Sequence, residues 1–381
     1  MNTMTNLSYK PCPPAGLSST RPSTWQAGLS LVELMIALAI GLLLLLGIST
    51  LIVQQNNTRS EMDKASRQIE NGRYAMQLLH DDIQLAGFYG GYSPANNVAT
   101  AIPDDPCDAT ANLGWDAATP QVPVAIHGYA GGAGDPTPGK CLDNYLSNTA
   151  VLVIRRVSSA TTPPSLAAAN TTYLQVSNCS TDAAPFVLGT ANFTLRQRGC
   201  ATTTNPSICT PINPADNSAN TWMGLSCLRL YVVRIYYISS CTVCGSDSVP
   251  TLKVREMVGG NASTIPLVEG IQNMQFDYGI DGDSDADGNM DDINGDGPVD
   301  AMDLDGAPDS YTATPAAATW PHVMAVRVNL LARNNEPSAG YKDTKKYSLG
   351  GAGTVGPFND TYKRHAYSQL VRATNPSGRR E

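Results

Sequence analysis

The sequence predicts an α+β protein in which one long N-terminal helix precedes a β-rich domain with long, cysteine-tied loops. Three observations predict it. An apolar run fills residues 29 to 53, a proline-free polar segment with a helical stripe follows it, and six short β-type runs lie beyond. The chain has 381 residues, of which 42% are hydrophobic and only 15% charged. Its 33 Gly and 26 Pro, with abundant Ser, Thr and Asn, supply the polarity that charge does not. A formal net charge of −8 without a basic block argues against a nucleic-acid partner.

Residues 1 to 28 contain Lys10 and Arg21 and no acidic residue. The run from Leu29 to Val53 follows, broken by Ser30, Glu33, Ser49 and Thr50 among otherwise apolar or small residues. As a helix it would span about 37 Å, enough for a hydrocarbon core of about 30 Å. It is longer than a secretory apolar region and has no cleavage signal after it, so it reads as a retained membrane helix. The positive leader places the N-terminus in the cytoplasm and the rest across the inner membrane.

Glu33 lies inside this run. A carboxylate at bilayer depth costs about 2.5–3.5 kcal/mol and needs a partner. A cut after Gly28 would create an α-amine on Leu29, one helical turn away, and that amine is the obvious counter-charge. The block Gly28-Leu29-Ser30-Leu31-Val32-Glu33-Leu34 resembles the type IV prepilin processing site. In that family a prepilin peptidase cuts after the glycine and methylates the new terminus, here Leu29, while the glutamate guides subunit addition. The family's usual Phe is replaced by Leu29.

From residue 54 the chain is polar and free of proline until Pro94. Met62, Ala65, Ile69, Gly72, Met76, Leu79, Ile83 and Ala86 recur at spacings of three and four, which predicts the inner stripe of an amphipathic half, 54–87. Glu61, Lys64, Arg67, Glu70, Gln77 and Asp81 are assigned to the opposite face, and Gly87 is the expected stop.

Residues 88–381 form the exported domain. Strands are expected at 150–157, 173–176, 193–198, 228–238, 252–258 and 323–331. In the 228–238 run the apolar phase shifts between Val232 and Val233, which means either a bulge or burial of both faces. Removing residues 1 to 28 takes away two positive charges and no negative ones, moving the charge from −8 to −10. It also removes Cys12 and leaves eight cysteines: Cys107, Cys141, Cys179, Cys200, Cys209, Cys227, Cys241 and Cys244. An even count in an exported domain predicts up to four disulfides. Neighbour pairing would join Cys107 to Cys141 and Cys179 to Cys200. Cys241-Thr-Val-Cys244 is expected to close a small loop by its own disulfide, since no second CxxC or nearby His completes a zinc site.

Residues 277–309 hold twelve Asp and no Glu, Lys or Arg. Two overlapping registers suit calcium, which takes six to eight hard oxygens. In one, Asp283, Asp285, Asp287 and Asp291 stand at ligand positions. In the other, Asp292, Asn294, Asp296, Asp300 and Asp303 do, and this stretch resembles a dockerin-type or EF-hand-like loop without flanking helices. One or two calcium ions are expected, and a solvated acidic loop docking on the basic residues after 311 is the alternative.

Three further stretches resemble the PilW-like minor pilins of the type IV pilus: Asn71 to Gly90, Leu267 to Asp281, and Val326 to Asn334 with Arg364 to Asn375. The resemblance implies a pilin-like fold with the long helix laid on an antiparallel sheet. It also implies a role in starting pilus assembly beside other minor pilins and the assembly machinery, with a tip adhesin as a further partner, and passage from the inner membrane to the pilus on the cell surface. A type II secretion pseudopilin shares the front end, and a tip adhesion or ligand-binding module carried by the loops between Gly91 and Cys141 is a third reading. No enzyme is expected. His80, His127, His322 and His365 are the only imidazoles, and no G-x-S-x-G, H-E-x-x-H or phosphate-binding Gly loop occurs.

Overall fold

The computed structural model describes residues 30–93, 102, 105–108, 114–118, 121–196, 225–259, 261–282 and 306–378. The chain divides into two units, one ending at Arg59 and one beginning at Ser60. One helix, α1, runs Leu31–Leu85 without a break. In the first unit its apolar side chains are exposed, from Leu31 to Val53. The hydroxyls in this stretch turn back on the helix: Ser49 donates to Leu45 O at 2.7 Å and Thr50 to Gly47 O at 2.8 Å. Neither polar group is therefore left unmet on an apolar surface. The helix ends where glycine lets the backbone turn, since Gly87 has φ +71° and its N–H donates to Arg155 O at 2.9 Å.

The second unit holds two antiparallel sheets and a small hairpin. The first sheet has seven strands: β1 (Ile126–Tyr129), β2 (Val151–Val157), β3 (Tyr173–Val176), β4 (Phe186–Gly189), β5 (Leu228–Ser239), β6 (Thr251–Val258) and β7 (Asn261–Glu269). β5 is its hub, pairing with β2, β3 and β6. Its register against β2 and β6 is continuous through Val232 and Val233, which are 6% and 2% exposed. The phase shift in the sequence thus reflects burial of both faces and no bulge. The second sheet is ordered β13 (Arg364–Arg372), β10 (Val323–Arg333), β8 (Ile271–Ile280), β9 (Ser310–Thr312). β11 (Tyr347–Ser348) and β12 (Thr354–Val355) make the hairpin, and a short helix α2 (Thr374–Ser377) closes the described chain.

The strand expected at 193–198 is not formed over its described part, where Arg196 makes only an isolated bridge to Leu225. Its hydrogen bonds go elsewhere: Leu195 N donates to the Gln175 side chain and Arg196 N to Asp182. β1, β4, β7, β8, β9, β11, β12 and β13 were not among the expected strands.

The largest core joins the helix to both sheets. Ala75, Met76, Leu79, Ile83 and Ala86 pack with Leu152, Ile154 and Tyr236 of the first sheet and with Met274, Val326 and Leu330 of the second. The other face of the first sheet buries a separate cluster, in which Trp115, Tyr89, Phe186 and Tyr231 meet Val153, Val233 and Met257.

Candidate functional site

Gly28 and Leu29 lie outside the described residues, and Ser30 and Glu33 lie within them. Ser30 Oγ accepts from Glu33 N at 3.2 Å, and Glu33 Oε2 accepts from Ser30 N at 3.0 Å. This reciprocal pair is a capping box: two backbone donors that the helix cannot satisfy itself are met by two side chains. The Glu33 carboxylate is therefore held at the helix start, beside the predicted cleavage point. The Ser-x-x-Glu spacing before an apolar run was the available signal, and the sequence reading used Glu33 only as a charge.

In the second unit the helix is seated by polar groups that pattern reading put elsewhere. Met62 and Ile69, expected inside, are 66% and 48% exposed. Gln68, Ala75 and Asp82 take inner positions instead. Gln68 donates to Ala332 O at 2.9 Å and to Lys363 O at 3.1 Å, bridging β10 to the residue before β13. Gly72 lets the ring of Tyr367 lie on the helix, since a Cβ there would stand 2.3 Å from it. Glu61 and Lys64, expected outside, also face the domain. Glu61 accepts from Ser338 at 2.7 Å and from Lys363 at 2.5 Å, and Lys64 donates to Pro337 O at 3.0 Å. The Lys363 ammonium, then the Ser338 hydroxyl, hold the Glu61 carboxyl down to about 2.

Asp82 is the centre of this seat and is 3% exposed. It accepts from Arg156 Nε at 2.8 Å, Arg234 Nη1 at 3.0 Å and Tyr236 Oη at 2.9 Å. Arg234 also donates to Glu256 at 2.7 Å. One carboxylate on the helix so engages β2 and β5, and Arg234 extends the network to β6. Burial opposes the charge on Arg234, but Asp82 and Glu256 outweigh it and its pKa rises. Burial, then Asp82, raises the Tyr236 phenol.

The structure joins Cys107 to Cys141 and Cys241 to Cys244. Cys179 is disulfide-bonded, Cys227 is half-buried just before β5, and Cys200 and Cys209 lie outside the described residues. The nine expected calcium ligands, Asp283, Asp285, Asp287, Asp291, Asp292, Asn294, Asp296, Asp300 and Asp303, also lie outside them. The two ends of that loop are described, and they are pinned together. Asp281 accepts from Gly306 N at 3.0 Å, Asp309 accepts from Gly282 N at 2.9 Å, and Asp309 N donates to Ile280 O at 2.8 Å. Among the described residues no group of three or more His, Cys, Asp or Glu could hold a metal. Much of the basic C-terminal stretch is engaged within the domain: Arg364 meets Asp343 at 2.8 Å and Asp360 at 2.6 Å, and Lys363 meets Glu61.

The helix start and its seat set the frame for what the chain resembles. The family model for Type IV Pilus-assembly protein W matches residues 235–375, from the second half of β5 into α2, and the prokaryotic N-terminal methylation motif matches residues 26–49. Over these two stretches the chain is similar to the PilW-like type IV pilins. The matched part of this PilW-like chain contains the whole second sheet and the aspartate-rich loop, and leaves residues 50–234 outside both models. A solved structure, a type IV-like pilin from Thermus thermophilus, is 14% identical, covers 40% of this chain and 70% of its own, and has a TM-score of 0.22, which carries no argument. No curated protein matches. The apolar helix and the methylation motif together mark a membrane-anchored pilin, with one helix among the described residues long and apolar enough to cross a membrane.

Proposed function

We propose that this protein is a minor pilin that takes part in initiating type IV pilus assembly, as a structural subunit contacting other minor pilins near the pilus tip. The observation that carries the reading is the block from Gly28 to Glu33, with the Glu33 carboxylate fixed by the capping box at the start of an exposed apolar helix. Prepilin peptidase would cut after Gly28 and methylate Leu29. The anchored subunit would wait in the inner membrane, its domain in the periplasm, until it is drawn into the filament. There Glu33 would exchange its bond to Ser30 N for a neighbour's terminal amine, because an unpaired charge in a helix bundle is costly. A deletion strain should lose most of its surface pili and twitching and regain both with the wild-type gene. A Glu33→Val gene should restore export of the protein and not piliation. A deletion strain with normal pili but defective secretion would overturn this reading in favour of a type II secretion pseudopilin.

Calcium belongs to the same proposal. Asp281 and Asp309 each accept a backbone N–H at the neck, and the interior positions, Asp283 to Asp303, would supply the oxygen donors. One or two ions there would neutralise the loop's repelling carboxylates. Titration calorimetry without heat at millimolar calcium would remove the site.

A further inference from the structure

Arg155 and Arg156 are consecutive on β2, so their side chains leave opposite faces of the sheet. Arg156 faces the helix and meets Asp82. Arg155 faces the second cluster and is 1% exposed. Its Nη1 donates to Val124 O at 3.1 Å, and its Nη2 has no hydrogen-bond partner among the described residues. Among the described residues no carboxylate pairs with it. The titratable groups that act on it are the phenols of Tyr231, Tyr89 and Tyr129, which are uncharged at neutral pH.

The strand register shows which donors share its surroundings. Arg155 stands opposite Val233, so Tyr231 is its diagonal neighbour on the same face, roughly 7–8 Å away along the pairing. Tyr231 is 2% exposed and its hydroxyl is unpartnered. Trp115 packs edge-on against Tyr231, with ring centroids 5.9 Å apart, and is 5% exposed with its indole Nε1 also unpartnered. The indole N–H and the phenol come close without closing a hydrogen bond. His127 lies on the other diagonal, towards β1. Burial, then the Arg155 cation, holds its pKa down to about 4, so it is neutral at neutral pH, and an imidazole carries no negative charge in either form.

Three buried groups with an unused donor thus lie on the same face of β2 and β5, and one of them is a full cation. A buried guanidinium needs an opposite charge as well as acceptors. Water could accept the hydrogen bonds but would leave the charge standing, and a metal cation would be repelled. Tyr89 and Phe186 crowd Trp115, at centroid distances of 4.8 and 5.0 Å, so an occupant has to be compact. We propose that a small inorganic anion of the halide class, chloride in the exported environment, binds between Arg155, Tyr231 and Trp115. It would fasten the segment carrying Trp115 to β2 and β5.

The test uses the whole chain in detergent, melted at constant ionic strength in sodium chloride, bromide or gluconate. Chloride and bromide should raise Tm above gluconate in a saturable way. Tyr231→Phe and Trp115→Phe keep the rings and remove one donor each, and each should weaken the half-saturating chloride concentration by about tenfold. Crystals grown in bromide should show an anomalous peak within hydrogen-bonding distance of Arg155 Nη2. Equal Tm in the three salts, or a chloride response undiminished in both Phe variants, would overturn the proposal.

Discussion

The two faces of the first sheet solve the same problem in different ways. On the helix side Arg156 is buried against Asp82, which Arg234 and Tyr236 also reach, so every charge has a partner within the chain. On the other side Arg155, one residue earlier, has one carbonyl and no carboxylate among the described residues. The first face belongs to the part of the fold where a helix must be held at a fixed angle on two sheets. The second carries loops, and what holds them is a disulfide, ring packing and, in our proposal, an ion from outside. The difference teaches that on this sheet the paired charges of one face seat the helix, while the loop face is fastened by covalent and borrowed links.

The largest effect should come from Asp82→Asn, which leaves Arg156 and Arg234 sharing a neutral amide. Breaking a buried charge network in this way costs about 3–5 kcal/mol, and a denaturant titration should read it. A loss under about 1 kcal/mol would mean that the helix is seated by apolar packing alone. On the other face, replacing Cys107 and Cys141 together with Ser opens a link spanning a sequence separation of 34. The expected loss is about 2–4 kcal/mol, and proteolysis should then strike first between the two positions while the helix-side core stays protected. Equal susceptibility on both sides would dissolve the contrast.

Gly72→Val should cost about 1–3 kcal/mol by pushing the Tyr367 ring off the helix, and adding Tyr367→Ser should recover part of it. The smallest effect concerns Glu61. Its pKa is lowered on folding, so it adds stability above its unfolded value, and that contribution is lost as pH falls from about 4.5 towards about 2. Glu61→Gln should flatten the acid limb of the stability curve in that window and change nothing at pH 7 beyond the loss of the pair itself.

Much of the helix-side architecture was legible. The apolar run and the Gly87 stop follow from periodicity and glycine chemistry, whereas the phase shift in β5 left a bulge and burial of both faces open until the register decided for burial. The inner stripe was read correctly at Gly72, Met76, Leu79, Ile83 and Ala86, all of them buried, and missed Gln68, Ala75 and Asp82, which widen it on one side. Gln68 and Asp82 are polar, and a search for apolar residues steers away from both. Their burial is stabilised by groups far along the chain, such as Ala332 O, Arg156 and Arg234, which no local pattern displays. β7 was hidden by Pro266 and by its exposed edge position, and β8 by its Gln and Asn residues, which one face of a central strand nevertheless accommodates. The loop face was illegible for another reason. Its turns rest on single residues in the left-handed region, Asn144, Asn148 and Asn170 among them, which no periodicity marks, although its Cys107–Cys141 disulfide is one of the expected pairings.

The filament reading stands or falls with the front of the chain. Mass spectrometry of the protein isolated from cells should find a polypeptide that starts at Leu29 and carries one N-terminal methyl group, and a Gly28→Val variant should stay at precursor length. A protein whose residues 1 to 28 are still attached in the wild-type strain would contradict the account.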